Sequence, residues 1–182
     1  MRLQLLLILF FYCDKMQAQN NSLPFINYTI KDGLSHNNIN CMIKDSRGYL
    51  WLGTTEGLNR FDGKHFRTYF NDDTNPSSLK GNNVSALLEY QPGKILIATN
   101  KGLSVFDIYT NSFQNEKINK PASQEVSEQG KYSFFQNSRK QVYINYNGKI
   151  DVYDDDLKFL YCLSDKPWAL NLRGVTVLLS WW

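Results

Sequence analysis

Residues 45–62 read D-S-R-G-Y-L-W-L-G-T-T-E-G-L-N-R-F-D, and this stretch decides the fold of the chain. It holds a short apolar and aromatic run, 49–54, between the turn signals Asp45-Ser46-Arg47-Gly48 and Glu56-Gly57. A run of this length bounded by Gly and Asp is typical of a β-strand between tight turns. The same pattern returns further along the chain.

The stretch is the first copy of a repeat. A shift of 45 residues places it on a second copy without a gap, with the pairs Gly48 and Gly93, Trp51 and Leu96, Gly57 and Gly102, and Asp62 and Asp107. A further shift of 47 residues places Phe106-Asp107 on Tyr153-Asp154. Repeats of about 40 to 50 residues made of short strands are typical of β-propeller blades. We therefore predict an all-β chain whose blades each have four antiparallel strands.

The repeat predicts about three blades and the start of a fourth. The blades are expected at about residues 25–70, 82–114 and 132–160, with the next blade beginning within 174–182. In the first blade, Asp62-Gly63 predicts a two-residue hairpin between the last two strands. Propellers close with about four to eight blades, so three blades and one strand leave the ring incomplete. The sequence is expected to be the N-terminal part of a longer protein or the product of a truncated gene.

Several residues are assigned to the blades rather than to chemistry. Asp caps the backbone of its own turn, and Gly supplies a positive φ. Trp51 lies in the middle of an apolar strand, which favours packing between blades over stacking on a sugar. The full set is Asp45, Gly48, Trp51, Gly57, Asp62, Gly63, Gly93, Gly102, Asp107 and Asp154. The run Asp154-Asp155-Asp156 lacks the spacing of a calcium loop and is interpreted as a hairpin turn. No catalytic, metal-binding or cofactor-binding residue is predicted.

Residues 1–18 have the layout of a secretory signal peptide. Arg2 gives a positive start, residues 3–12 form an apolar run too short to span a bilayer comfortably, and cleavage is expected between Ala18 and Gln19. Lipidation at Cys13 and an uncleaved membrane anchor are the alternatives. Export to the periplasm follows from this prediction. It would permit a disulfide between the two remaining cysteines, 41 and 162, but does not require one.

The net charge of +3 at pH 7 is too small to indicate nucleic acid, and no nucleic-acid contact is predicted. Tyr49 and Trp168 could stack on sugar rings. The sequence does not identify the ligand or the blade face that meets it.

The quoted stretch, together with Asp32-Gly33-Leu34-Ser35 and residues 57–63, resembles the two-component regulator propeller repeat. That repeat builds the periplasmic sensor region of hybrid histidine kinases in gut-type Bacteroidetes, and the resemblance covers about residues 25–160. It implies two seven-bladed propellers, an immunoglobulin-like domain, a membrane helix and a kinase core in the complete protein. It also implies a homodimer and ligands derived from polysaccharides.

The kinase chemistry itself is not found in this sequence. Neither His36 nor His65 stands in a phosphoacceptor motif, and no Gly-rich ATP lid follows. We therefore expect a non-enzymatic, N-terminal part of an oligosaccharide-sensing propeller that signals through a kinase located elsewhere. The alternatives are a secreted propeller carbohydrate-active enzyme or lectin fragment, and a non-functional truncated remnant.

Overall fold

The computed structural model describes residues 25–115, 132–163, 170–172 and 175–177. Within these ranges the regular structure is fourteen β-strands and a single 3₁₀ turn, Ile30–Asp32. No helix in the described ranges is long and apolar enough to cross a membrane. The predicted all-β class is confirmed.

Twelve of the strands form three four-stranded antiparallel sheets in chain order. The first blade contains β1 (Ile39–Lys44), β2 (Leu50–Thr54), β3 (Gly57–Phe61) and β4 (Phe66–Tyr69). The second contains β5 (Val84–Gln91), β6 (Lys94–Thr99), β7 (Gly102–Asp107) and β8 (Ser112–Gln114). The third contains β9 (Tyr132–Gln136), β10 (Val142–Tyr146), β11 (Lys149–Tyr153) and β12 (Phe159–Cys162).

The sequence repeat is also a repeat of strand register. Leu50 pairs with Phe61 in the first blade and Ile95 pairs with Phe106 in the second. Val142 pairs with Tyr153 in the third. These pairs are related by the same two shifts that align the sequence, so the aligned residues occupy equivalent places in the three blades.

Two details differ from the sequence prediction. Phe61 pairs with Phe66, so the connection between β3 and β4 spans residues 62–65 instead of the two residues Asp62-Gly63. The Asp62 carboxylate is the physical reason, because it accepts hydrogen bonds from the next N–H groups of the turn and holds the wider loop. Near the C-terminus, the single strand predicted within 174–182 is half of a hairpin: β14 (Val175–Val177) pairs with β13 (Leu170–Leu172).

The blades pack face to face around two apolar clusters. The cluster between the first and second blades includes Trp51, Leu58, Ile95 and Phe106. The cluster between the second and third blades is built around Leu96, Val105, Val142 and Tyr153. The first strands of neighbouring blades, β1, β5 and β9, lie beside one another. Side-chain amides join these strands: Asn40 Nδ2 donates to the Val84 carbonyl at 2.9 Å, and Gln136 Nε2 donates to the Tyr90 carbonyl at 2.8 Å.

The chain preceding β1 covers the face of the first blade that points away from the second. Successive side chains of a strand alternate between its two faces. Phe61 therefore lies on the face of β3 opposite to Leu58, which belongs to the cluster between the first and second blades. Tyr28 packs edge-on against Phe61 and Phe66, with ring centroids 4.9 Å and 5.6 Å apart. Leu34 is buried, and a Cβ at the preceding Gly33 would lie 3.6 Å from Phe66 Cβ. Residues 28–34 therefore pack on the first blade.

Candidate functional site

The recurring aspartates bond to the backbone of their own turns. In each, one carboxylate oxygen, Oδ1, accepts two N–H groups from the residues that follow. The donors are Arg47 and Tyr49 for Asp45, Lys64 and His65 for Asp62, Tyr109 and Thr110 for Asp107, and Asp156 and Lys158 for Asp154. These are Asx-type turns, in which the side chain replaces a backbone acceptor. In the part of the chain that the structure describes, no group of three or more His, Cys, Asp or Glu could hold a metal ion.

The predicted glycines lie where the turns need a left-handed backbone. All of them have a φ angle of the kind that L-residues with a Cβ rarely adopt. The values are 93° at Gly48, 128° at Gly57, 96° at Gly63, 78° at Gly93 and 118° at Gly102.

Trp51 is held between the first two blades by a ring stack and a buried hydrogen bond. Its side chain is fully buried, and Nε1 donates to Asp45 Oδ2 at 2.8 Å. Its ring stacks on Tyr69, with centroids 5.9 Å apart, and is tilted against Phe106 at 5.2 Å. Asp45 is itself buried, so its three hydrogen bonds satisfy a carboxylate that water cannot reach freely. Trp51 has no free face for a ligand.

The third blade contains a counterpart of this arrangement that was not predicted from the sequence. Asn137 Oδ1 accepts the N–H groups of Arg139 and Gln141 at 3.0 Å and 2.9 Å, as Asp45 does in the first blade. Asn137 Nδ2 donates to the Tyr143 hydroxyl at 3.2 Å. Combining the two repeat shifts places Asn137 on Asp45 and Tyr143 on Trp51, so the aligned sequence contained the signal.

A cluster of arginines and tyrosines lies on the surface where the first and second blades meet. We call Arg47, Arg60, Arg67, Tyr49 and Tyr109 the arginine–tyrosine surface. The Cζ atom of Arg60 lies 4.8 Å from the centroid of the Tyr49 ring, and that of Arg47 lies 5.9 Å from the same centroid. Arg47 is also 6.0 Å from the Tyr109 ring centroid, so it links the first blade to the second. Tyr109 is 72% exposed.

The arginines of this surface form no ion pair with a carboxylate in the described ranges. The ion pairs found there are Asp62 with His65 and Asp73 with Lys101. Burial raises the pKa of the Tyr69 hydroxyl, and the positive charges of Arg60 and Arg67 oppose that effect. Both guanidinium groups therefore act on the same half-buried ring.

The opposite ends of the strands carry a polar rim whose groups bond to one another. His36 Nδ1 accepts the Asn38 N–H at 3.0 Å and lies 2.9 Å from Thr55 Oγ1. Asn40 Nδ2 donates to Asn83 Oδ1 at 3.1 Å. Since these groups already have partners, this rim offers fewer unused donors than the arginine–tyrosine surface.

Cys41 is a free thiol beside β5, and burial raises its pKa to about 11. The signal-peptide cleavage point at Ala18 and Gln19, and the possible sugar-stacking residue Trp168, lie outside the described residues.

Three antiparallel four-stranded blades packed face to face define a β-propeller chain, with the ring not closed by the described strands. Residues 33–56 match the family model described as the two-component regulator propeller, so the chain carries a repeat of that family. The resemblance inferred from the sequence is confirmed.

Two known proteins share this similarity. Histidine kinase P4 of Formosa agariphila is 38% identical over 69 residues, which are 38% of this chain and 5% of that protein. The extracellular domain of the hybrid two-component system BT3049 from B. thetaiotaomicron is similar in structure, with a TM-score of 0.65 and 29% identity. That likeness covers 80% of this chain and 21% of the other. The chain thus spans only a small part of either protein.

Proposed function

We propose that this chain is the N-terminal part of the ligand-sensing propeller of a hybrid two-component signalling protein. The observation that carries the proposal is the structural likeness, at 29% identity over 80% of the chain, to the extracellular domain of a hybrid two-component system. The match of residues 33–56 to the two-component regulator propeller supports the same assignment independently. In this function the blades bind a ligand, and catalysis belongs to a kinase core outside them.

The ligand in this proposal is an oligosaccharide released from a polysaccharide, and the complete sensor is a homodimer. Exposed aromatic rings beside hydrogen-bond donors are a common means of binding sugars, and Tyr109 with Arg47 provides such a pair. The sensing region lies in the periplasm. The signal-peptide layout of residues 1–18 supports this location.

The gene for this chain can be deleted in the source organism to test the proposal. Wild-type and deletion strains are supplied with a panel of purified polysaccharides, and the transcripts induced by each are measured. We expect the deletion to abolish the induction of one set of genes by one polysaccharide, and a wild-type copy of the gene to restore it. Unchanged induction by every polysaccharide to which the wild type responds would contradict the proposed function.

A further inference from the structure

We propose that the arginine–tyrosine surface binds an anionic saccharide, a sugar that carries a carboxylate or sulfate group. This inference rests on the proposed function and specifies the chemical class of the ligand. The surface combines three guanidinium groups with an exposed tyrosine ring at one blade junction. Guanidinium groups recognise oxyanions, and the tyrosine ring offers an apolar face to the sugar.

The guanidinium groups are positioned by aromatic rings and not by carboxylates. Arg60 contacts two rings, with Cζ 4.8 Å from the Tyr49 centroid and 5.9 Å from that of Trp51. Arg67 lies 5.4 Å from the Tyr69 centroid. A cation over an aromatic ring is stabilised by the ring quadrupole, and this interaction does not require its N–H donors. The donors therefore remain available to an oxyanion, which a guanidinium binds through two parallel hydrogen bonds.

No carboxylate of the described ranges forms an ion pair with a guanidinium group of this surface. Arg60 and Arg67 stand directly opposite each other on β3 and β4, where like charges are destabilising. The buried Asp45 carboxylate accepts from two backbone N–H groups and from Trp51. The Glu89 carboxylate is occupied by Ser46 and by the Gly93 N–H. An oxyanion bound at the surface would form the direct ion pair with the guanidinium groups that these carboxylates do not form.

The backbone beneath Tyr109 leaves room for its ring. A Cβ atom at Gly93 would lie 2.5 Å from Tyr109 Cε2, so any larger residue there would displace the ring. Tyr109 thereby extends from the second blade over Arg47 of the first while remaining 72% exposed. The Arg47 guanidinium group lies over this exposed ring, so a sugar that contacts the ring would have a charged donor beside it.

The third blade supplies a matched control. Arg139 occupies the turn position equivalent to Arg47, and its N–H bonds to Asn137 as that of Arg47 bonds to Asp45. Arg139 is exposed and forms no cation–π contact with any described ring. Arg47→Gln and Arg139→Gln therefore remove the same charge from equivalent turns, but only the first change alters the proposed site.

The test is calorimetric titration of the whole chain with three probes: trigalacturonate, a sulfated heparin disaccharide and neutral maltotriose. We expect one anionic probe to bind, more weakly as salt rises, and maltotriose not to bind. Arg47→Gln should raise the Kd by about 10-fold or more, since a hydrogen bond to a charged group has been lost. Arg139→Gln should leave it unchanged. The circular dichroism spectrum and Tm of each variant establish that it is folded.

The probe that binds distinguishes the two sources of charge, because trigalacturonate carries carboxylates and the disaccharide carries sulfates as well. Equal affinity of the wild type and Arg47→Gln would overturn the proposal, as would failure of both anionic probes to bind. Binding of maltotriose alone would also overturn it, but would leave the proposed sensing function intact. The gene-deletion experiment tests the sensing function separately, because its result does not depend on which of these probes binds.

Discussion

Exchanging the side chains that cap equivalent turns in the first and third blades should have unequal effects on stability. Asp45 and Asn137 both accept two backbone N–H groups through Oδ1. Their second side-chain atoms face different partners, since Asp45 Oδ2 accepts from Trp51 Nε1 and Asn137 Nδ2 donates to the Tyr143 hydroxyl. Asp45→Asn would place an amide donor against the indole N–H, which can only donate.

The cost of Asp45→Asn can be worked from burial. The Trp51 side chain is 0% exposed, so water cannot replace the lost acceptor. A buried donor left without a partner costs about 1–3 kcal/mol. The N–H groups of Arg47 and Tyr49 would keep an acceptor in the amide oxygen of the new side chain. Asn137 Oδ1 already accepts the equivalent N–H groups in the third blade. For a chain of this length each kcal/mol lowers the Tm by about 2–4 °C, so we expect a fall of roughly 2–12 °C.

The reciprocal change, Asn137→Asp, is the control. The Tyr143 hydroxyl can rotate and donate to a carboxylate, so this bond is kept. The other acceptor of Asn137 Nδ2, Gln141 Oε1, belongs to an amide that can turn its NH₂ group towards the new oxygen. We expect a change within about 0.5 kcal/mol, as for surface substitutions. Urea unfolding at neutral pH, followed by circular dichroism, measures both variants. Equal losses for the two, or no loss for Asp45→Asn, would refute the reasoning.

Three further predictions concern single side chains. Trp51→Ala should lower the free energy of unfolding by about 3–5 kcal/mol, as large core truncations do, whereas Tyr109→Ala at an exposed ring should lower it far less; comparable losses in urea unfolding would contradict the inter-blade role of Trp51. Burial raises the pKa of Cys41 from 9.0 to about 11, so at pH 8 its thiolate fraction is about 100-fold lower than in the unfolded chain. Iodoacetamide should therefore label Cys41 much more slowly in the native chain than in urea, and equal rates by peptide mass spectrometry would argue against burial. The pKa of Asp62 is lowered from 3.8 by hydrogen bonds from the His65 and then the Lys64 N–H, so this carboxylate stabilises the fold at neutral pH and its contribution is lost as pH falls through the lowered pKa. The stability difference between the wild type and Asp62→Ala should accordingly shrink in acid, and a difference that stayed constant with pH would exclude the turn bonds as its source.

The blades could be predicted from the sequence because their determinants are local. The turn from Asp45 to Gly48 needs only a side-chain acceptor and a residue that tolerates positive φ, and both are readable from the residue types. Strand alternation then fixes which side chains face a neighbouring blade. Since the same determinants recur at nearly constant spacing, the positions of β2, β6 and β10 follow from aligning the chain with itself.

The contacts between blades could not be predicted in the same way. Arg47 meets Tyr109 only because the second blade is rotated and placed so that its last turn lies over the first blade's first turn. That placement depends on how the apolar faces of the two blades pack. The residues next to Arg47 and Tyr109 in the sequence do not indicate it. The strand Leu170–Leu172 was missed for another reason, because three residues are too few for alternation to be recognised.

The positions of Asp45 and Trp51 are occupied by a different pair of side chains in each of the three blades. The position of Asp45 is occupied by Tyr90 in the second blade, and the position of Trp51 by the fully buried Leu96, which has no polar group to satisfy. There the adjacent Glu89 bonds to the turn N–H of Gly93 in place of the missing cap. Asp with Trp, Tyr with Leu, and Asn with Tyr are therefore alternatives in which the two positions differ together. The Trp51 indole N–H has its acceptor, Asp45, within its own blade, so replacing Asp45 alone would leave a buried donor without a partner.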